Sequence, residues 1–441
     1  MIDNKGLKKL ILPLILEQLL AVSVGMVDTL MVSTVGEVAV SGVALVDNIN
    51  RLVIQVMSAF AAGGVVISSQ YYGSGNLPKT KKTCAQLEMI MLIFSVVTAV
   101  CCVIFSRPIL STIFGSVEAD VMNAANTYMI VTAISYPFLG EYNAGAAILR
   151  SFGNSKISMN ISLIMNIVNV VLNGVFVFIF HWGVFGVAFA TLIGRISAGL
   201  IMKKITTSDK NPLRVTDLKD YIPKFSYIKR ILKIGIPNGI ENGMFQIGKL
   251  IVVSMVATLG TNAIAANAIS YQIIDFPSIP GVAIGLGMVV IIGQDIGAGD
   301  KEGAIKDSKK LLKLTYICDW ICKLILFFTA PLLVSVFSLS AESSEIAVTV
   351  LRGFAAASIL VWPLSFTLPN SLRGAGDVKF TMIISIASMW LCRVAVSYLL
   401  IKYTSLGVMG VWIGMFVDWY VRGICYTARF ISKKWLYKKA I

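Results

Sequence analysis

Apolar runs long enough to cross a bilayer recur along the whole chain, and no other feature restricts the possible fold so severely. A helix needs about 20 residues to traverse the hydrocarbon core. Such runs fall at 7–33, 41–72, 83–105, 118–149, 157–181, 183–204, 229–259, 262–296, 305–337, 343–371, 379–403 and 407–431. They do not alternate polar and apolar residues, which excludes the strands of an outer-membrane barrel. The expected fold class is therefore all-α integral membrane, with about twelve transmembrane helices, several long enough to tilt or bend. Only 14% of the 441 residues are charged and 56% are hydrophobic, whereas soluble domains carry about 25% charged residues.

The net charge of +15 would suit a nucleic-acid partner, but the placement of the cations argues otherwise. Lys79, Lys81 and Lys82 lie between the second and third spans, and Arg150 and Lys156 between the fourth and fifth. Lys203, Lys204, Lys210, Arg214, Lys219, Lys224, Lys229 and Arg230 fill the middle connection; Lys301, Lys306, Lys309 and Lys310 follow the eighth span; Lys433, Lys434, Lys438 and Lys439 lie after the last. The intervening loops hold little beyond Arg107 and Lys402. Basic loops on alternate connections place both termini in the cytoplasm of a multi-pass protein of the cell (inner or plasma) membrane. Lys5, Lys8 and Lys9 precede an apolar stretch too long for a signal-peptide core, so the first span is expected to stay as an anchor. Seven Cys show no metal or disulfide spacing, and His181 is the single His, which leaves no catalytic His cluster. No cofactor is expected, and a monomer surrounded by lipid suffices.

The sequence is duplicated. QYYGSGN (70–76) returns as QDIGAGD (294–300), a shift of 224 that also relates Pro13 to Pro237, Glu17 to Glu241 and Gly36 to Gly260. LRSFGNSK (149–156) faces LRGAGDVK (372–379) at 223, and GVFGV (183–187) faces GVMGV (407–411) at 224. A constant shift over such a distance is the mark of an internal repeat. The domains expected are an N-terminal six-helix lobe at 1–204, a basic cytoplasmic connector at 205–228 and a C-terminal six-helix lobe at 229–441. Six is even, so both lobes run in the same sense and are pseudo-symmetric about the membrane normal, with a cleft expected between them. That is transporter architecture.

Ionisable groups inside the spans carry the functional signal, because a charge in hydrocarbon costs at least about 2.5 kcal/mol and should face a cavity or a partner. Asp28, in the outer half of the first span, can hold a proton or bind a small cation; a helix-end hydrogen bond is the plainer alternative. Glu17 lies eleven residues earlier on nearly the same helical face, so both acids could look into one cavity. Glu17 and its counterpart Glu241 sit toward the inner ends of their helices, where coupling and gate contacts are equally open. In the fifth span Asn166, Asn169 and Asn173 form an amide face able to ligate a hard cation such as Na⁺ or to glue helices together. The second half carries Lys249, Asp275, Arg393, Asp418 and Arg422. Asp275 aligns with Arg51, which could itself pair with Asp47 one turn earlier. Asp275, Asp418 and Arg422 are candidate contacts for substrate or ion; the alternative for Asp418 and Arg422, one turn apart, is that they neutralise each other.

ILPLILEQLLAVSVGMVDTLMVSTVG (11–36), SSQYYGSGN (68–76), LRSFGNSK (149–156) and GVWIGMFVDWYVRG (410–423) together resemble the multidrug and toxic compound extrusion (MATE) family of bacterial type, over essentially the whole chain. The resemblance implies a secondary active antiporter, coupled to H⁺ or Na⁺, that expels organic and often cationic drug-like compounds from the cytoplasm. It assigns Asp28 to the coupling position and Asn169 and Asn173 to the polar pair beside it; one branch of the family carries Asp where Asn173 stands. The acid found in the tenth helix of some branches has no match in AAASILVWPLSFTLPN (355–370). The alternatives are a flippase for lipid-linked saccharide, which would need a larger and more basic cleft, and an integral membrane transferase, which would need a catalytic motif that this chain does not display.

Overall fold

The computed structural model describes residues 4–115, 117–209, 211–215, 218–337 and 339–441. In the first half α1 (Asn4–Ser33), α2 (Glu37–Gly73) and α3 (Leu77–Ile104) are followed by a short α4 (Ser106–Phe114). The bent pair α5 (Ala119–Ile134) and α6 (Tyr136–Ser151) comes next, then α7 (Ser155–Gly174) and α8 (Gly183–Thr206). The second half runs through α9 (Phe225–Ala257), α10 (Thr261–Ala298), α11 (Lys301–Ser335), α12 (Ala341–Trp362), α13 (Pro369–Ala375), α14 (Val378–Ser388), α15 (Ala395–Tyr403) and α16 (Val408–Ile431). Single π-helical segments extend α7 (Val175–Ile179), join α12 to α13 (Pro363–Thr367) and join α14 to α15 (Met389–Val394). No strand occurs among the described residues. The chain is an all-α, multi-span membrane protein, and each span expected from the sequence is present as one helix or one broken helix.

Local chemistry accounts for the breaks. Pro137 has no amide hydrogen, and the fourth span divides at Ser135, two residues before it, where the serine hydroxyl bonds the Thr132 carbonyl at 2.5 Å. Pro363 opens the π segment that joins α12 to α13. Pro13 and Pro237, by contrast, lie inside unbroken helices. The short α4 lies in a connection whose sequence carries no long apolar run, so the span pattern did not signal it.

The chain packs as two compact units, Asn4–Ile236 and Pro237–Ala440. Polar bonds fasten the segment after α8 to α3 within the first unit. Gln86 Nε2 donates to the carbonyls of Asp220 (2.6 Å) and Ile222 (2.8 Å), and the Lys224 amide donates to Gln86 Oε1 (2.8 Å). Tyr221 donates to Glu88 Oε2 (2.8 Å), which Lys203 also holds at 2.5 Å. Burial and this neighbouring carboxylate push the Tyr221 hydroxyl above its ordinary range, so it remains a donor.

The repeated glycine motifs end helices. After α2, Gly75 takes φ 72° and the Asn76 amide reaches back to the Tyr71 carbonyl (3.1 Å); after α10, Gly299 takes φ 81° and the Asp300 amide reaches the Asp295 carbonyl (2.9 Å). Only a residue without Cβ adopts this left-handed cap cheaply. Asn76 and Asp300 then cap the next helix, accepting from the amides of Lys79 (3.2 Å) and Gly303 (2.7 Å).

A second repeated device is an ion pair inside each unit. Glu17 of α1 accepts from Arg150 (3.0 Å) and Tyr142 (3.2 Å) of α6 and from Ser158 (3.3 Å) of α7. Glu241 of α9 accepts from Arg373 (2.6 Å) of α13 and Ser385 (2.5 Å) of α14. Both carboxylates are buried. Large apolar side chains such as Leu250, Phe328 and Leu391 are exposed instead, as lipid-facing positions should be.

Removing one partner of a buried pair strands the other charge and costs about 3–5 kcal/mol. Arg150→Leu should therefore lower the thermal midpoint of the detergent-solubilised protein clearly, and Arg150→Leu combined with Glu17→Gln should recover most of the loss. A double variant no more stable than the single one would contradict this role for the pair.

Candidate functional site

The polar centre of the first unit is built from five helices, α1, α2, α5, α7 and α8. On α7, Asn169 and Asn173 are one turn apart and therefore share a face. Asn173 Nδ2 donates to Asp28 Oδ1 on α1 (3.0 Å) and to Asn169 Oδ1 (3.2 Å), and Asn169 Nδ2 donates to the Thr191 hydroxyl on α8 (3.2 Å). The hydrogens of one amide group thus link a carboxylate to a second amide and, through it, to a hydroxyl. Asn173 Oδ1 is buried with no hydrogen-bond partner. Asn166, the third amide of the α7 face, takes no part in this chain of bonds.

Asp28 and Thr191 line a cavity of about 460 Å³ together with Asp47 and Arg51 of α2, Tyr128 of α5 and Arg195 of α8. Asp47 Oδ1 accepts from Asn50 (3.2 Å) and from the Tyr128 hydroxyl (3.4 Å), and Tyr136 in turn donates to Asn50 Oδ1 (2.7 Å). Arg195 donates to the Ser135 hydroxyl at the α5–α6 break (2.9 Å). Two carboxylates and two guanidinium groups therefore border one chamber. Asp47 and Arg51, one helical turn apart, do not close to an ion pair; the acid is bonded to Asn50 and Tyr128 instead.

The structure thus brings Asp28, Asn169 and Asn173 together and separates them from Glu17. Although Glu17 and Asp28 share a helix, Glu17 does not line the chamber and is held by Arg150. Glu241 is likewise held by Arg373.

In the second unit Asp418 lies at ion-pair distance from Arg422, as their spacing allows, but has a closer partner that the spacing does not reveal. Its Oδ2 accepts from both Nε (3.0 Å) and Nη2 (2.7 Å) of Arg393, while Arg422, one turn away on its own helix, stands at 4.0 Å. The π segment Met389–Val394 carries Arg393 to the acid, an approach that helical spacing along α16 does not reveal. Arg422 lies 4.9 Å from the Phe366 ring centroid. Asp275 is exposed on α10, with Lys249 as its charged neighbour.

The sequence reading passed over Arg195, the Glu88–Lys203 pair and a buried pair on α11. There Lys323 binds Asp319 (2.7 Å) and the Ser358 carbonyl (3.2 Å), with the Trp362 ring centroid 5.2 Å away. A signal was available: an acid and a base at i,i+4 within an apolar run. Arg195 had a similar one, as a cation in the middle of the sixth span.

The repeat makes the chamber stand out further. At the shift of 224, Asp28, Thr191 and Arg195 correspond to Val252, Met415 and Trp419, all members of a buried apolar cluster in the second unit. At these three positions the duplicate places apolar and aromatic side chains, whereas Arg51 and Asn169 correspond to the charged Asp275 and Arg393.

The MatE family model matches residues 13–175 and, 224 residues on, 237–399. Among curated proteins, the uncharacterized transporter YisQ of Bacillus subtilis is 29% identical over 97% of this chain and 94% of its own length. The multidrug export protein MepA of Staphylococcus haemolyticus is 24% identical over 87% and 84%. The fold superposes with a TM-score of 0.90 on a solved structure described as the outward-facing conformation of a multidrug resistance MATE family transporter of the MOP superfamily. That structure is 20% identical, with 98% of this chain and 96% of that one covered. With both halves matched at the register of its own internal repeat, the chain belongs to the MatE family of multi-span multidrug efflux transporters.

Proposed function

We propose that this transporter is an antiporter that moves H⁺ or Na⁺ inward at Asp28 and expels organic cations in exchange. The observation that carries this reading is the Asp28 carboxylate at the chamber wall, held by the Asn173 amide and not by a cation. A carboxylate neutralised by a guanidinium cannot readily take up another positive charge. One held by an amide can, and the unpartnered Asn173 Oδ1 beside it offers an acceptor for an Asp28 proton or a ligand for Na⁺. Asp47 adds a second negative group to the same chamber, which suits a cationic solute, while Arg51 and Arg195 keep the empty chamber near neutrality.

Coupling follows if the ion and the solute favour different conformations, so that each shifts the population the other needs. The similarity to MepA, a multidrug export protein, supports organic compounds as cargo. The basic loops support an inner or plasma membrane location with both termini cytoplasmic. The MatE match does not support the alternative of a flippase for lipid-linked saccharide.

In an efflux-deficient host, expression should lower accumulation of a cationic dye. Asp28→Asn should abolish that effect with the protein still in the membrane, and undiminished efflux by this variant would remove Asp28 from the mechanism. In proteoliposomes, an imposed pH or Na⁺ gradient should drive dye movement, the effective gradient naming the ion. Indifference to both gradients would reject ion coupling.

A further inference from the structure

We infer that a groove between the start of α1 and the turn into α7 is a binding site for an anionic phospholipid. The groove has a volume of about 800 Å³ and gathers Lys8 and Lys9 from α1 with Lys156 from the first turn of α7. All three lysines are exposed, no Asp or Glu lines the groove, and none of the three enters an ion pair among the described residues. The remainder of the wall is largely apolar, with Leu12, Leu16 and Met159 following the lysines along the two helices.

The arrangement is built. Ser155 Oγ donates to the Leu10 carbonyl (2.8 Å), which fixes the start of α7 against α1. The Glu17 contact to Ser158 holds the same two helices together further along α1, and the one to Arg150 ties α6 to α1. Cations contributed by two chain segments thus remain convergent at one end of an apolar slot.

That polarity matches a phospholipid in both its parts. A phosphate-bearing anionic headgroup answers three ammonium groups that enter no ion pair among the described residues. An acyl chain answers Leu12 and Leu16, which are 57% and 42% exposed on a membrane-spanning helix and so present a lipid-facing surface beside the lysines. Basic pockets at the ends of membrane helices attract anionic headgroups in this way. A free phosphate would satisfy the lysines and leave the leucines uncovered. The groove beside Lys79, Lys81 and Lys82 offers a contrast, because there Lys82 already faces Asp220 at 3.7 Å.

The test uses the full-length, delipidated protein in detergent, titrated with dioleoyl phosphatidylglycerol and followed by native mass spectrometry and thermal midpoint. Bound lipid and a raised midpoint are expected with phosphatidylglycerol, but not with dioleoyl phosphatidylcholine, glycerol phosphate or inorganic phosphate. Substituting Lys8, Lys9 and Lys156 together by Gln should weaken retention by roughly tenfold or more. The same change at Lys79, Lys81 and Lys82 should leave it nearly unchanged. Leu12→Ser, at an exposed position, should shorten retention without lowering the midpoint of the lipid-free protein. Equal losses from the two lysine triplets would mean diffuse surface attraction and would overturn the assignment. So would equal binding of inorganic phosphate, or retention unaffected by the groove substitutions.

Discussion

Hydrocarbon solvates neither a peptide group nor a charge, and the organisation of this protein follows from that constraint. Backbone groups are satisfied within helices, and the bends fall where proline removes a donor or a π segment accommodates an extra residue. Several buried charges are satisfied by opposite charges: Glu17 by Arg150, Glu241 by Arg373, Asp319 by Lys323, and Asp418 by Arg393. Such pairs hold helices together, but they are poor places to load and unload a cation, since each exchange would expose an uncompensated partner.

Against that background the chamber of the first unit is an exception with chemical consequences. Asp28 is linked to amides and a hydroxyl, Asp47 to an amide and a phenol, and their compensating guanidinium groups border the same cavity without closing on them. The proposed exchange of a cation there would not first have to break a tight ion pair. The duplicate unit has Val252 and Trp419 at the positions of Asp28 and Arg195.

Duplication preserved what the membrane demands and relaxed what function can vary. The left-handed glycine caps at Gly75 and Gly299 recur because the chain must stop and reverse there. The Glu–Arg pairs recur with their partners on corresponding helices. The linked polar side chains do not recur, because a second copy of a fold carries no requirement for a second copy of its site.

The span pattern, the internal repeat and the candidacy of Asp28, Asn169 and Asn173 were legible in the sequence, because hydropathy, a constant shift and the rarity of intramembrane charge are properties of residue order alone. Partner choice was not legible. Glu17 and Asp28 share a helical face, yet one is bound to Arg150 and the other borders a cavity; Asp418 lies one turn from Arg422, yet pairs with Arg393 brought in by a π segment. The sequence by itself determined which residues must avoid lipid. Which of them meet, and whether they close into a pair or leave room for a cation, was decided only by tertiary packing, since helix rotation and local π turns set distances that spacing along one helix cannot encode.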